Sequence, residues 1–78
     1  MDKFEIQIAQ ENENIVFEVI DYAHDEENKC KFEVFRDRKF VASFEPDSRG
    51  FLHVCKNPGN IDENILDSLA EKIESYHF

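Results

Sequence analysis

The sequence predicts an α+β domain, a five-stranded antiparallel β-meander with one C-terminal helix packed on one face. Three observations predict it. Apolar residues alternate with polar ones in the period of two that marks a half-buried strand. Polar, turn-prone clusters separate five such segments. A helical period appears only once, after residue 60. The 78 residues suffice for one domain, taken as 1–78.

The first strand is expected over 3–9, where Phe4, Ile6 and Ile8 alternate with Lys3, Glu5 and Gln7. The polar run 10–14 forms the following turn. The second strand, about 15–22, is apolar on both sides. Ile15, Phe17 and Val19 share one face, and Val16, Ile20 and Tyr22 the other, interrupted only by Glu18. Such a strand is normally central or covered twice. Residues 23–29, rich in acids, form a solvated loop.

The third and fourth strands are expected at 30–36 and 40–45. A two-residue loop, Asp37-Arg38, would set Arg36 opposite Lys39 and mix the apolar faces, since opposed residues share a face. A three-residue loop keeps Phe32 and Val34 with Phe40, Ala42 and Phe44 and is preferred for that reason. Pro46-Asp47-Ser48-Arg49-Gly50 has turn composition, and the fifth strand follows over 51–56, with its buried face undecided.

Asn57-Pro58-Gly59-Asn60 breaks the strand. Asn60 and Glu63 have the spacing of a capping box. Ile61, Ile65, Leu66, Leu69, Ala70, Ile73 and Tyr76 recur at helical spacing, which predicts a helix over about 61–76. Sixteen residues at ~1.5 Å each give roughly 24 Å, the length of a seven-residue strand, so one helix can cover one sheet face. The core face is expected to carry Phe4, Ile6, Ile8, Ile15, Phe17, Val19, Phe32, Val34, Phe40 and Phe44. The other face would carry Val16, Ile20, Tyr22, Phe35 and Val41 among Glu18, Glu33, Ser43 and Glu45. An apolar patch with a charged rim is the pattern of a protein interface.

The net charge is −9. Residues 1–28 carry −8, residues 29–56 carry +3 and residues 57–78 carry −4. This balance disfavours direct binding of nucleic acid and of anionic membrane surfaces. No apolar run approaches the roughly 18 residues that span a bilayer. The first ten residues lack a signal-peptide pattern, so a cytoplasmic location is expected.

Cys30 and Cys55 are then expected to be reduced. In the meander, Cys30 opens the third strand and Cys55 closes the fifth, and these strands run the same way. That places the thiols at opposite ends and roughly 10 Å apart laterally, beyond the ~7 Å a disulfide allows. A zinc site shared by both is excluded on the same ground. His24, Cys30 and His77 form the one trio the topology permits, and His53 and Cys55 share a face as a possible ligand pair. As a nucleophile and base, His53 and Cys55 stand too far apart, about 6–7 Å. Gly59 before the helix could hold an anion, but no P-loop surrounds it, and Asp62 and Glu63 would repel a phosphate. No catalytic, cofactor-binding or metal-binding residues are therefore assigned, and no cofactor is expected.

The expectation is a non-enzymatic protein-interaction module that binds a protein partner or itself, as a homodimer through the open face. The alternatives are an acidic decoy of a basic nucleic-acid-binding protein, suggested by the −8 segment, and a small ligand-binding domain.

Overall fold

The computed structural model describes residues 2–22 and 30–77, without the side chains of Asp2 and His77. The expected loop 23–29 lies outside the described residues. The architecture is the expected one. Strands β1 (Asp2–Gln10), β2 (Glu13–Asp21), β3 (Phe32–Arg36), β4 (Lys39–Pro46) and β5 (Leu52–Lys56) precede helix α1 (Glu63–His77). The strands pair antiparallel in chain order, so β1 and β5 are the two edges.

β1 and β2 meet in full register, from Asp2 opposite Asp21 to Gln10 opposite Glu13. Their turn is only Glu11-Asn12, with φ of 47° and 69°. Two successive positive φ angles make the type I′ turn, whose twist matches that of a hairpin. The expected turn was broader because Glu is a poor resident of that conformation.

The β3–β4 turn departs from expectation in the same way. Asp37 and Arg38 have φ of 52° and 67°, and Arg36 faces Lys39. The loop therefore has two residues, not three. The apolar faces are reconciled by a β-bulge instead. Val34 faces Ala42 and Phe35 faces Phe40, which leaves Val41 as the extra residue. Phe32 opposite Phe44 and Val34 opposite Ala42 stay on the core face as expected. Phe40, expected there too, is moved across to Phe35.

The core holds Ile6, Ile8, Ile15, Phe17, Val19, Phe32, Val34, Ala42 and Phe44 from the sheet, and Leu66, Leu69 and Ile73 from α1. Leu69 and Ile73 are fully enclosed; burying each contributes roughly 1.5–3 kcal/mol. The helix contacts both edge strands. At β1, the rings of Phe4 and Tyr76 stack with centroids 4.7 Å apart. At β5, the Leu52 N–H donates to Glu74 Oε2 at 3.0 Å.

The segment before α1 is tied to the Val41 bulge. The Gly59 N–H donates to the Val41 carbonyl at 2.9 Å, and the Asn60 N–H donates to the Asn57 carbonyl at 3.1 Å. Asn57 Oδ1 accepts from the Ile61 N–H, while its Nδ2 donates to the Ile61 carbonyl. Asn60 is thereby held at φ 51° and does not cap the helix. Asp62 does: its carbonyl accepts from Ile65 and Leu66 N–H, and its Oδ2 accepts from Asn64 N–H at 3.3 Å.

Candidate functional site

Two features stand apart from the core: the sheet face opposite α1, and the end of the sheet where the cysteines lie.

On the open face, the registers place three rows side by side. Lys3, Ile20, Glu33 and Ser43 form one row, and Glu5, Glu18, Phe35 and Phe40 the next. Gln7 and Val16 form the third. Val16 is 42% exposed, and Ile20, Tyr22, Phe35 and Phe40 are half-buried. The Phe35 and Phe40 rings meet at 5.7 Å between centroids. The Tyr22 hydroxyl donates to Glu33 Oε1 at 2.6 Å. Lys3 pairs with Glu18 at 3.1 Å across the solvent-exposed surface, a contact worth little by itself. Lys3, Glu18, Ile20, Phe35 and Arg38 line a depression of about 390 Å³.

Four of the five residues expected on this face, Val16, Ile20, Tyr22 and Phe35, are on it. Val41 is not. The bulge turns it to the helix side, where it packs against the core and an atom at Cβ of Gly59 would touch it. Phe40 takes its place. No pattern of alternation could identify the exchange, because a bulge resets the alternation without a mark in composition.

The cysteines overturn the expectation made for them. Cys30 and Cys55 form a disulfide, with their Cα atoms 6.5 Å apart. The topology was right, but the strands are not aligned end to end. β3 pairs with Lys39–Phe44 of β4, whereas β5 pairs with Ser43–Pro46. The start of β3 and the end of β5 therefore meet at the same level of β4. Cys30 also precedes β3, so the interstrand spacing does not hold it away. Cys55 falls in a second register shift, between Phe44 opposite Val54 and Ser43 opposite Lys56. With Cys55 in a disulfide, it is not a nucleophile for His53.

Glu45 joins this cluster. A Glu45 carboxylate oxygen and the two Sγ atoms all lie within 4.8 Å of one another, with Cys30 buried, Glu45 half-buried and Cys55 exposed. His53 faces Glu45 across the β4–β5 ladder. Two residues before Glu45 on β4, the Ser43 hydroxyl is buried without a hydrogen-bond partner among the described residues. Close by, the Lys31 ammonium donates to Asp21 Oδ1 at 2.8 Å and to the Tyr22 carbonyl at 3.4 Å. His24 and the His77 side chain, members of the expected trio with Cys30, lie outside the described residues. At the suggested anion site, the Gly59 and Asn60 N–H groups are already spent inside the chain. Among the described residues, no helix is long and apolar enough to cross a membrane.

The chain matches no protein-family model, no curated protein and no solved structure.

Proposed function

We propose that the chain is a small non-enzymatic interaction module of the cytoplasm that pairs with a second copy of itself through the uncovered sheet face. One observation carries this reading. The face opposite α1 keeps Val16, Ile20, Phe35 and Phe40 partly in water, in a contiguous band ringed by charges of both signs. Around the band stand Lys3 and Arg38 as cations and Glu5, Glu18 and Glu33 as anions. A face of one sign would repel its own copy in a chain of net charge −9; a mixed one is able to complement itself across a two-fold axis.

The size of the face sets the strength. Four interstrand gaps of ~4.8 Å by strands of ~30 Å give roughly 600 Å² per copy. That is the low end for protein interfaces, where association is weak. The test is sedimentation equilibrium from low to high micromolar concentration. Dimer is expected to grow with concentration, and Phe35→Glu is expected to abolish it while leaving the circular dichroism spectrum intact. A strict monomer at high micromolar concentration overturns the proposal.

A further inference from the structure

We propose that the Cys30–Cys55 pair, once reduced, forms a zinc site with Glu45, so that the disulfide and the metal are alternative occupants of one place in the fold. Glu45 and His53 lie on the same side of the sheet as the open face, one row beyond Ser43, and the site does not depend on dimerisation.

The chemistry of the donors points to zinc. Two thiolates and a carboxylate suit a borderline-soft divalent ion, and Zn²⁺ takes four ligands in a tetrahedron. The donors come from three separate stretches of chain. Cys30 precedes β3, Glu45 is on β4 and Cys55 is on β5, yet their ligand atoms lie within 4.8 Å of one another. With Zn–S near 2.3 Å, the two sulfurs must stand about 3.8 Å apart. Cα atoms 6.5 Å apart permit that by side-chain rotation, with the backbone in place. His53 is the residue the sheet brings to the fourth position. It faces Glu45 in register, which sets their Cβ atoms roughly 5 Å apart. The gradient from buried Cys30 to exposed Cys55 leaves one side of the site open to solvent, to a reductant and to the ion.

The switch balances. A dithiol reductant attacks the exposed sulfur of Cys55. The Cys30–Cys55 bond breaks and a mixed disulfide forms. The second thiol of the reductant resolves it. Two electrons and two protons pass to the protein, which leaves with two thiols, and the reductant leaves as its own disulfide. Zn²⁺ then displaces both thiol protons as it binds. In a reducing compartment the metal form is expected to prevail, and oxidation would expel the ion.

The test is zinc titration of the full chain against a chromophoric chelator, with and without a phosphine reductant, supported by cobalt substitution. The reduced protein is expected to take one zinc per chain, and its cobalt form to absorb in the near ultraviolet from thiolate-to-metal charge transfer. The oxidised protein is expected to take none. Glu45→Gln keeps both thiols and is expected to weaken zinc by about tenfold or more; C30S and C55S are expected to lose the charge-transfer band. His53→Ala is expected to weaken binding measurably, and unchanged affinity there overturns the fourth ligand. A reduced wild-type protein that keeps its fold by circular dichroism but takes no zinc overturns the site. So does equal uptake by oxidised and reduced protein, which marks surface binding by the acids.

Discussion

Replacing Gly59 by alanine tests how tightly the helix entry is docked on the sheet. A Cβ built on Gly59 would lie 2.7 Å from Val41 Cβ and 3.0 Å from both its Cα and Cγ1. Two of these atoms move only with the backbone, so no rotamer of Val41 relieves the contact. Ordinary carbon–carbon contact is about 3.5–4.0 Å, so the segments must part by roughly 1 Å. The Gly59 N–H donates to the Val41 carbonyl at 2.9 Å, and that separation would break it. Overpacking costs about 1–3 kcal/mol and the lost hydrogen bond about 1 kcal/mol. Restricting the unfolded chain returns about 0.4–1 kcal/mol. The net expectation is a loss of about 2 kcal/mol, or roughly 8–16 °C in Tm for a domain of this size.

Gly50 is the internal control. It has φ +85° with nothing within 4 Å of its would-be Cβ. Its replacement by alanine should cost about 1 kcal/mol from backbone strain alone, and Gly50→Asn less, because Asn tolerates that conformation. Thermal and urea unfolding of G59A, G50A and G50N separate the two causes. A second arm sharpens the first. Val41→Ala retains Cβ and Cα, so V41A is expected to give G59A little rescue. If G59A is neutral or stabilising, the docking argument is wrong, since only the unfolded-state entropy would then have acted.

The remaining predictions concern the bridge, a turn and a buried hydroxyl. Cys30 and Cys55 are 25 residues apart in sequence, and opening such a loop should cost about 3.5 kcal/mol by chain entropy. A reductant should therefore lower the Tm of zinc-free wild type clearly and leave C55S unmoved; no shift in wild type means no bridge in solution. Asp37 and Arg38 both hold positive φ, so D37N/R38G, the pairing favoured in type I′ turns, should stabilise the domain by about 1 kcal/mol; loss of stability refutes the two-residue loop. Among the described residues the buried Ser43 hydroxyl has no hydrogen-bond partner, so Ser43→Ala should be neutral or stabilising by up to about 1 kcal/mol in denaturant unfolding. Destabilisation beyond that means the hydroxyl is bonded.

Much of the fold was legible because its signals are local. The alternation of Phe4, Ile6 and Ile8 placed one face of β1, and the spacing of Leu66, Leu69 and Ile73 placed the buried stripe of α1. The helix cap was less legible. Asn60 and Glu63 had the right spacing, but the approach of Gly59 to Val41 turns Asn60 into the left-handed region and passes the cap to Asp62. A tertiary contact overrode a sound local pattern. The hairpin turns were missed for a related reason. Glu11 and Arg38 are poor residents of type I′ turns, and they hold positive φ because both flanking strands are anchored by core residues.

The two misplaced residues, Val41 and Cys55, share one cause, and it bears on both proposed sites. β4 has eight residues, while β3 and β5 have five each. Each neighbour covers a different part of it, and only near Ser43 and Phe44 do the three strands lie abreast. A sheet curled around one helix absorbs that mismatch where the ladder can slip, and each slip leaves one unopposed residue. The two-residue turn sets Phe40 opposite Phe35 on the open face, and at the first slip Val41 is left unopposed on the helix side while Ala42 returns opposite Val34. At the second, Cys55 is left without a partner in β4 and bonds to Cys30 beside Glu45. A one-residue change of register exchanges the two faces of a strand. Deleting Val41 is therefore expected to do more than remove a valine. It should close the ladder, with Phe40 still opposite Phe35 on the open face and Ala42 still opposite Val34, while it unseats Gly59; Val41→Ala should likewise leave the face intact. Dimerisation is therefore expected to survive both variants while the deletion costs more stability, and loss of the dimer on deleting Val41 refutes the register argument.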